Sequence, residues 1–414
     1  MKPGKAIVIG GGVVGASCAY ELALRGWTVE LLEKGTVGGG CSHGNCGYVC
    51  PSHVYPLAKP GAIASTLPLL FRRNSPFMIR PRVDVHLWGW LARFAASCTA
   101  AKAEDTSVAL HALLINGKIR YEEIVAAERI DCGYERKGCL FVYADRAHLD
   151  AFGPTNEAIV RRFGYGGRLV RGDELAAMEP TLRDGLAGAW YFECDAHLRP
   201  DRYMSGLHAA LVRRGVVIRE GCEAKDLTGL GGRAVRAVTN HGEHGADAFV
   251  VATGAWTPKL SHMLGVKLPI VPGKGYSVTA RRPARCPAYP MVFEEARVAI
   301  TPFADGYRLG SMMEFAGYDD SMRPERIALL KDSAAKYLRA PEPLDDEQPW
   351  FGWRPMVPDG KPFVDFSPRF GNVMVAAGHS MIGMSTGPGT GRLVAEMLSD
   401  DKPHLDPAWF RIGR

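Results

Sequence analysis

The chain has 414 residues, 47% of them hydrophobic and 23% charged, with a net charge of +6 and a pI near 8.7. That length exceeds one simple core and implies two domains. Basic and acidic residues are interleaved, so nucleic acid is excluded as a partner, and FRR at Phe71 to Arg73 and RR at Arg281 and Arg282 read as solvated surface. No run of about eighteen apolar residues occurs and the chain opens on MKPGK and a strand, so neither a membrane span nor a signal peptide is expected, and the cytoplasm is the expected compartment. Ten cysteines, with Cys41, Cys46 and Cys50 close together but never in CxxC spacing, read as buried free thiols without a metal.

Ala6 to Ile9 is an apolar run suited to a buried parallel strand. Gly10, Gly12 and Gly15 follow as a tight turn, a close approach for a pyrophosphate and room for a helix to pack. The helix is predicted from about Val13 to Arg25, with Val13 and Val14 in its amide-presenting first turn. Gly26 ends it, and Thr28 to Leu32 forms the next strand. Glu33 closes that strand, where a carboxylate accepts both hydroxyls of an adenosine ribose and repels a 2'-phosphate. These residues predict a dinucleotide other than NADP.

After Glu33 the chain runs KGTVGGGCSHGNCGYV, small and polar where a nicotinamide enzyme would begin its next crossover. With Ser42, Asn45 and Gly47 in a Ser-x-x-Asn-x-Gly element, the sequence resembles the FAD-dependent amine and amino-acid oxidoreductases of the D-amino-acid oxidase superfamily, most closely the bacterial dehydrogenase branch. The resemblance runs along nearly the whole chain. It implies FAD as cofactor, a D-amino-acid oxidase-like α/β fold, and a cofactor loop that includes Lys34, Cys41, Ser42, Asn45 and Gly47. The fold is a Rossmann-type FAD-binding domain (1–50, 147–265 and 350–414) interleaved with an antiparallel-sheet, α+β substrate domain (51–146 and 266–349).

Further along, an amphipathic helix is predicted near Leu87 to Ala96, a long helix from about Val108 to Ile130, and a strand at GCLFVYA. Pro200 begins a helix that Gly215 ends, and Val216 to Arg219 is a strand. Ala224 sits where the family presents backbone to adenine. The buried strand of HGADAFVVATGAWTPKL leads into Thr253, Gly254 and Trp256, at the end of an open sheet where ligands collect. Leu268 to about Leu344 reads as antiparallel strands plus one helix. A strand at Val373 to Ala376 then meets a glycine-rich turn through Gly378, His379, Met381, Ile382, Gly383, Met384 and Ser385, followed by a helix from about Thr386 to Leu398 whose amides face the flavin.

The resemblance also carries the substrate site. Gly352, Trp353, Arg354 and Pro355 match the element that bears the carboxylate-binding arginine, and a guanidinium fork suits a carboxylate bidentately. Tyr276 and Tyr48 are candidates to bond or shape the substrate, His379 to sit over the flavin, and Trp353 to wall the pocket. Met381 replaces a second arginine found in glycine oxidase, which argues against glycine or sarcosine. The implied reaction is hydride transfer from the Cα of a D-amino or D-imino acid, such as a hydroxy-D-proline, to the flavin, with a quinone-like acceptor in place of oxygen. The alternatives are an oxygen-using oxidase and a flavin subunit of a heteromeric amine dehydrogenase. Tyr55 to Pro81, with Leu67, Leu69, Leu70, Phe71, Phe77, Met78 and Ile79 beside Arg72, Arg73, Arg80 and Arg82, reads either as a lid or as a peripheral contact with the inner face of the cytoplasmic membrane.

Overall fold

A computed structural model describes residues 2–70, 75–339 and 344–414. One sheet has six strands in the order 363–366, 373–377, 248–251, 5–9, 28–32 and 217–219. All its pairs are parallel except that of the edge strand Phe363–Phe366. Both faces are covered, which is why its central strands are apolar throughout. Ala6 and Val8 point into a core shared with helices Val13–Leu24, Ala100–Glu128 and Gly383–Leu398. Ile7 and Ile9 point the other way, onto Leu227, Ala234 and Ala237 of a three-stranded antiparallel sheet spanning 224–245.

The second sheet runs in the order 348–356, 271–281, 306–315, 298–302, 291–293, 139–143, 188–192 and 168–170, with Phe77–Ile79 beside 306–315. It is antiparallel apart from two parallel pairs, 291–293 with 139–143 and 77–79 with 313–315. This sheet corrects the expected domain limits. The strands at 168–170 and 188–192 pair with 139–143, and 348–356 pairs with 271–279, so these segments belong to the second sheet and not to the nucleotide-binding part.

Three helices differ from the sequence reading. The long helix begins at Ala100 because Thr99 caps it, accepting the Lys102 amide. The last helix begins at Gly383 and continues through Gly387, Pro388, Gly389 and Gly391, residues whose local preference is for a turn. Packing overrides that preference. A Cβ at Gly391 would fall 2.6 Å from the Ser17 backbone, and one at Gly389 would lie 3.1 Å from the Gly117 amide, so the glycines let three helices meet backbone to backbone. A further helix, Ala62–Leu70, contains Pro68.

Phe71, Arg72 and Arg73 lie outside the described residues. Downstream, Phe77 and Ile79 pack with Leu87, Trp90 and Phe315. Arg80 pairs with Glu314 at 2.7 Å and Arg82 with Asp84. Among the described residues of this region, Leu57, Ile63 and Leu67 face solvent, as do Val83, Val85 and Trp88 at the start of helix Val85–Ser97, with Val83 99% exposed. Among the described residues no helix is long and apolar enough to cross a membrane. All ten cysteines are free thiols.

Candidate cofactor and substrate site

The glycine turn is built as its spacing requires. Gly10 has φ 108°, and a Cβ at Gly15 would fall on the Gly10 carbonyl. Gly12 is different. A Cβ there would meet only the Ser42 hydroxyl, at 3.6 Å, so the position is open on the ligand side. Gly12 is the N-cap of helix Val13–Leu24 and brings no side chain, and the Ser42 hydroxyl accepts the Val13 amide at 3.0 Å in its place. Val14 and Gly15, in the first turn, keep amides with no partner inside the helix. This is the anion-binding arrangement of a helix N-terminus.

Glu33 closes the second strand and accepts the Gly11 amide at 2.6 Å and the Gly35 amide at 2.8 Å, which fixes both oxygens beside the turn. Lys34 lies 3.1 Å above the Trp256 ring, so desolvation lowers its pKa, and Lys259 approaches the same ring. Cys222 donates its amide to the Glu33 carbonyl, bringing Ala224 beside that strand end. Thr253 and Gly254, the latter at φ 54°, lead the Ala248–Val251 strand into the turn that carries Trp256. No neighbour would stand within 4 Å of a Cβ at Gly254 or Gly40. Free amides, a fixed carboxylate and open glycines fit a flavin adenine dinucleotide.

The Cys41–Gly47 loop lies across one face of the second sheet. Arg308 donates to the His43 and Asn45 carbonyls, Thr301 to the Cys46 carbonyl, and Gly310 leaves room for the Cys46 sulfur. Asn45 accepts the Gly47 amide, and Gly47, at φ 77°, fits tightly against Leu198. The Cys41 thiol donates to the Trp353 carbonyl at 2.6 Å, tying this loop to the Arg354 strand. Two residues further along that strand, Ser380 donates its amide to the Pro355 carbonyl at 3.1 Å. Arg354 therefore stands between the two loops read as cofactor-binding.

The Arg354 guanidinium donates to the carbonyls of Met312 and Ser311. Ser311 and Met312 have φ of 146° and 60°, at a bulge where the 271–281 and 306–315 strands slip register. A bulge that re-aims groups beside a site is a recurring use of that distortion. No carboxylate pairs with Arg354 among the described residues. Burial pushes its pKa down, and burial also pushes the neighbouring Cys41 thiol up to about 12, so no thiolate neutralises it. A half-buried cation without an anion favours an anionic ligand. Trp350, which no motif marks in the sequence, covers Gly352 and Gly44 on the same face.

Other predicted residues are placed apart from Arg354. Side chains alternate along a strand, so Gly275, Gly352 and Arg354 face the cofactor loop, while Lys274, Tyr276, Phe351 and Trp353 face away. Tyr276 donates to the buried Glu314 at 2.8 Å, so it is a core group and not a carboxylate ligand. Trp353 packs on Trp256 and Phe351 with its indole nitrogen unpartnered. The Tyr48 hydroxyl is taken up by the Met291 and Ile300 backbone. His379 is buried against Thr390, and desolvation holds it neutral with a pKa of about 3. Gly378 has φ 85°, and Met381 is exposed. Ile382 caps the last helix, so Gly383, Met384 and Ser385 present first-turn amides, with the Met384 carbonyl held by Tyr121 and the Ser385 hydroxyl donating to the Tyr48 carbonyl. Ser311 and Met312 were not legible as neighbours of Arg354, because a strained bulge leaves no sequence signature when its residues are not glycines, and Gly275 was not legible because nothing local marks the strand it pairs with.

Comparison with known proteins agrees with this geometry. The model of a family described as FAD dependent oxidoreductase (DAO) matches residues 5–397. A D-amino acid dehydrogenase of Methylobacterium nodulans is 32% identical over 412 residues, covering 97% of this chain and 96% of that protein. One from Paramagnetospirillum magneticum is 32% identical over 408 residues, covering 95% of each. Among solved structures, glycine oxidase from Geobacillus kaustophilus is 25% identical with a TM-score of 0.78, covering 99% of this chain and 98% of that one. L-proline dehydrogenase from P. horikoshii, at 20% identity and a TM-score of 0.78, covers 99% and 97% and shares the fold. With a family model that spans residues 5–397 and relatives that cover it almost whole, the chain belongs to the DAO family of FAD-dependent oxidoreductases.

Proposed function

We propose that the protein dehydrogenates a D-amino or D-imino acid and passes the electrons to an acceptor other than oxygen, such as a quinone. The observation that carries this reading is Arg354, a cation without an acid, aimed by two carbonyls across the face that the cofactor loop covers. The full-length relatives named D-amino acid dehydrogenase support the substrate class.

Bound FAD supplies the redox chemistry, accepting a hydride from the substrate Cα. The residues that would hold it are Gly10, Gly12, Val13, Val14 and Gly15 with Ser42 at the pyrophosphate, Glu33, Lys34 and Ala224 toward the adenosine, and Cys41, Asn45, Gly47, Thr253, Gly254, Trp256 and the Gly378–Ser385 turn along the rest. Arg354 binds the substrate carboxylate and so fixes which Cα bond faces the ring. The carbonyls of Ser311 and Met312 hold the guanidinium in place before substrate arrives, which lowers the entropy cost of binding. Trp350, across Gly352 and Gly44, excludes water beside it. First-turn amides of the Gly383–Leu398 helix stabilise negative charge at its N-terminus.

Electron transfer to a quinone is served by a peripheral membrane contact. Exposed Ile63, Leu67, Val83, Val85 and Trp88 support it, with Lys59 and Arg93 on the same segments. Such attachment is reversible and fits the inner face of the cytoplasmic membrane.

The test is anaerobic mixing of the flavin-loaded enzyme with D- and L-amino acids, D-proline and hydroxy-D-prolines. Bleaching of the flavin by D-enantiomers, with reoxidation faster by a quinone analogue than by air, is the expected result. No bleaching by any D-amino or D-imino acid would remove the reading.

A further inference from the structure

The sequence offers no cysteine pair with metal-site spacing, yet the fold gathers a donor set from three distant segments. The Cys50 sulfur, a His53 ring nitrogen and an Asp195 carboxylate oxygen all lie within 4.8 Å of one another. The Cys139 thiol lies beside that of Cys50, and the Cys194 thiol reaches Asp195 at 3.6 Å. One carboxylate is thus surrounded by three thiols and an imidazole.

Asp195 is the anomaly. It is fully buried, and what it accepts are neutral donors: the Ser52 amide at 3.0 Å, the Ser52 hydroxyl at 2.6 Å and the Cys194 thiol. No lysine or arginine forms an ion pair with it among the described residues. A buried carboxylate left without a positive charge is costly. Cys50 and His53 are three residues apart on one loop, so both reach the same point, and Asp195 meets them from the turn before the short Ala196–His197 strand.

We propose that Cys50, His53 and Asp195 bind one borderline divalent cation of the Zn2+ class, with the Cys139 thiol as the adjacent fourth donor. Mixed sulfur, imidazole and carboxylate donors select such ions. Bonds of about 2.0–2.3 Å from a common centre require the three donor atoms to draw together by roughly 1 Å. Binding exchanges the Cys50 and Cys139 S–H bonds for metal–sulfur bonds and releases two protons, with no electron transferred. The site is structural: it pins the Cys50–His53 loop to the second sheet. Through the Cys50 amide, which donates to the Ser385 hydroxyl at 3.3 Å, it also steadies the first turn of the last helix.

The experiment uses the full-length holoenzyme, purified under reductant without a metal-affinity tag, loaded with Zn2+ or Co2+ and desalted. One equivalent of retained metal by mass spectrometry is expected, with a cobalt–thiolate absorption to the red of the flavin bands. Cys50→Ser and Asp195→Asn should each lose the metal and the absorption, while Cys98→Ser, outside the cluster, keeps both. Absence of bound metal in the wild type after loading overturns the proposal whether or not the variants fold. So does a cobalt–thiolate signal undiminished in a folded Cys50→Ser enzyme.

Discussion

The Arg354 guanidinium occupies the space that a side chain at Gly275, on the neighbouring strand, would fill. Gly275→Ala should therefore displace Arg354 without touching any residue of the cofactor turn. The expected result is flavin content equal to wild type and a rise in KM for substrate of at least tenfold. Arg354→Ala should act in the same direction and more strongly, losing roughly 1.5–3 kcal/mol per charged hydrogen bond in kcat/KM. Steady-state kinetics with flavin quantitation checks both, and an unchanged KM in Gly275→Ala would show that the guanidinium does not bind substrate.

Gly12 and Gly15 separate folding from cofactor binding. A Cβ at Gly15 falls on the Gly10 carbonyl, whereas one at Gly12 meets only the Ser42 hydroxyl at 3.6 Å. Gly12→Ala is expected to fold with an apoprotein Tm like that of wild-type apoprotein while losing most of its FAD. Gly15→Ala is expected to lower the apoprotein Tm itself, by several degrees. Thermal melts of deflavinated protein, beside the flavin absorbance of protein as purified, distinguish the two.

Tyr276→Phe removes the hydroxyl that donates to the buried Glu314. The carboxylate keeps Arg80, so the loss is one donor, about 1–2 kcal/mol of stability. KM should stay at its wild-type value, since Tyr276 faces away from Arg354. Denaturant unfolding and substrate titration of the same variant check the two halves of this expectation.

Glu30 predicts acid sensitivity. Burial opposes its ionisation, but Lys5, Arg219 and His244 converge on it and hold its pKa down to about 2. Because the folded value lies below the unfolded one, the stabilisation is present above about pH 4.3 and fades as the pH falls toward 2. Its size is about 2–3 kcal/mol. The stability gap between wild type and Glu30→Gln should narrow by that amount between pH 6 and pH 2 in denaturant titrations.

The first strand, turn, helix and acidic residue were legible from spacing because each is set by local geometry: Gly10 and Gly15 are required by the backbone itself. The motif around Arg354 was legible through its neighbours Gly352 and Pro355, but the stacking of its guanidinium over Gly275 was not. The start of the last helix was hidden because Gly387, Pro388 and Gly389 prefer turns and become helical only when two other helices press against them. The partners of the Tyr48, Tyr276 and His379 side chains were hidden for a related reason. A buried hydroxyl or imidazole takes whatever partner the fold supplies, here the Met291 and Ile300 carbonyls, Glu314 and Thr390, and none of those adjacencies is written in the local sequence.

The glycine-lined contact between helices Val13–Leu24 and Gly383–Leu398 joins segments made far apart in time during translation. Val13 is synthesised well before the Gly383–Leu398 helix that seats against it, roughly 20–70 s earlier at ordinary elongation rates. For that interval the nascent chain carries an exposed apolar helix face and half of a nucleotide cradle. Chaperone protection of the first helix, and cofactor loading only once the Gly383–Leu398 helix has been made, are the biosynthetic consequences of placing these two distant segments in one core.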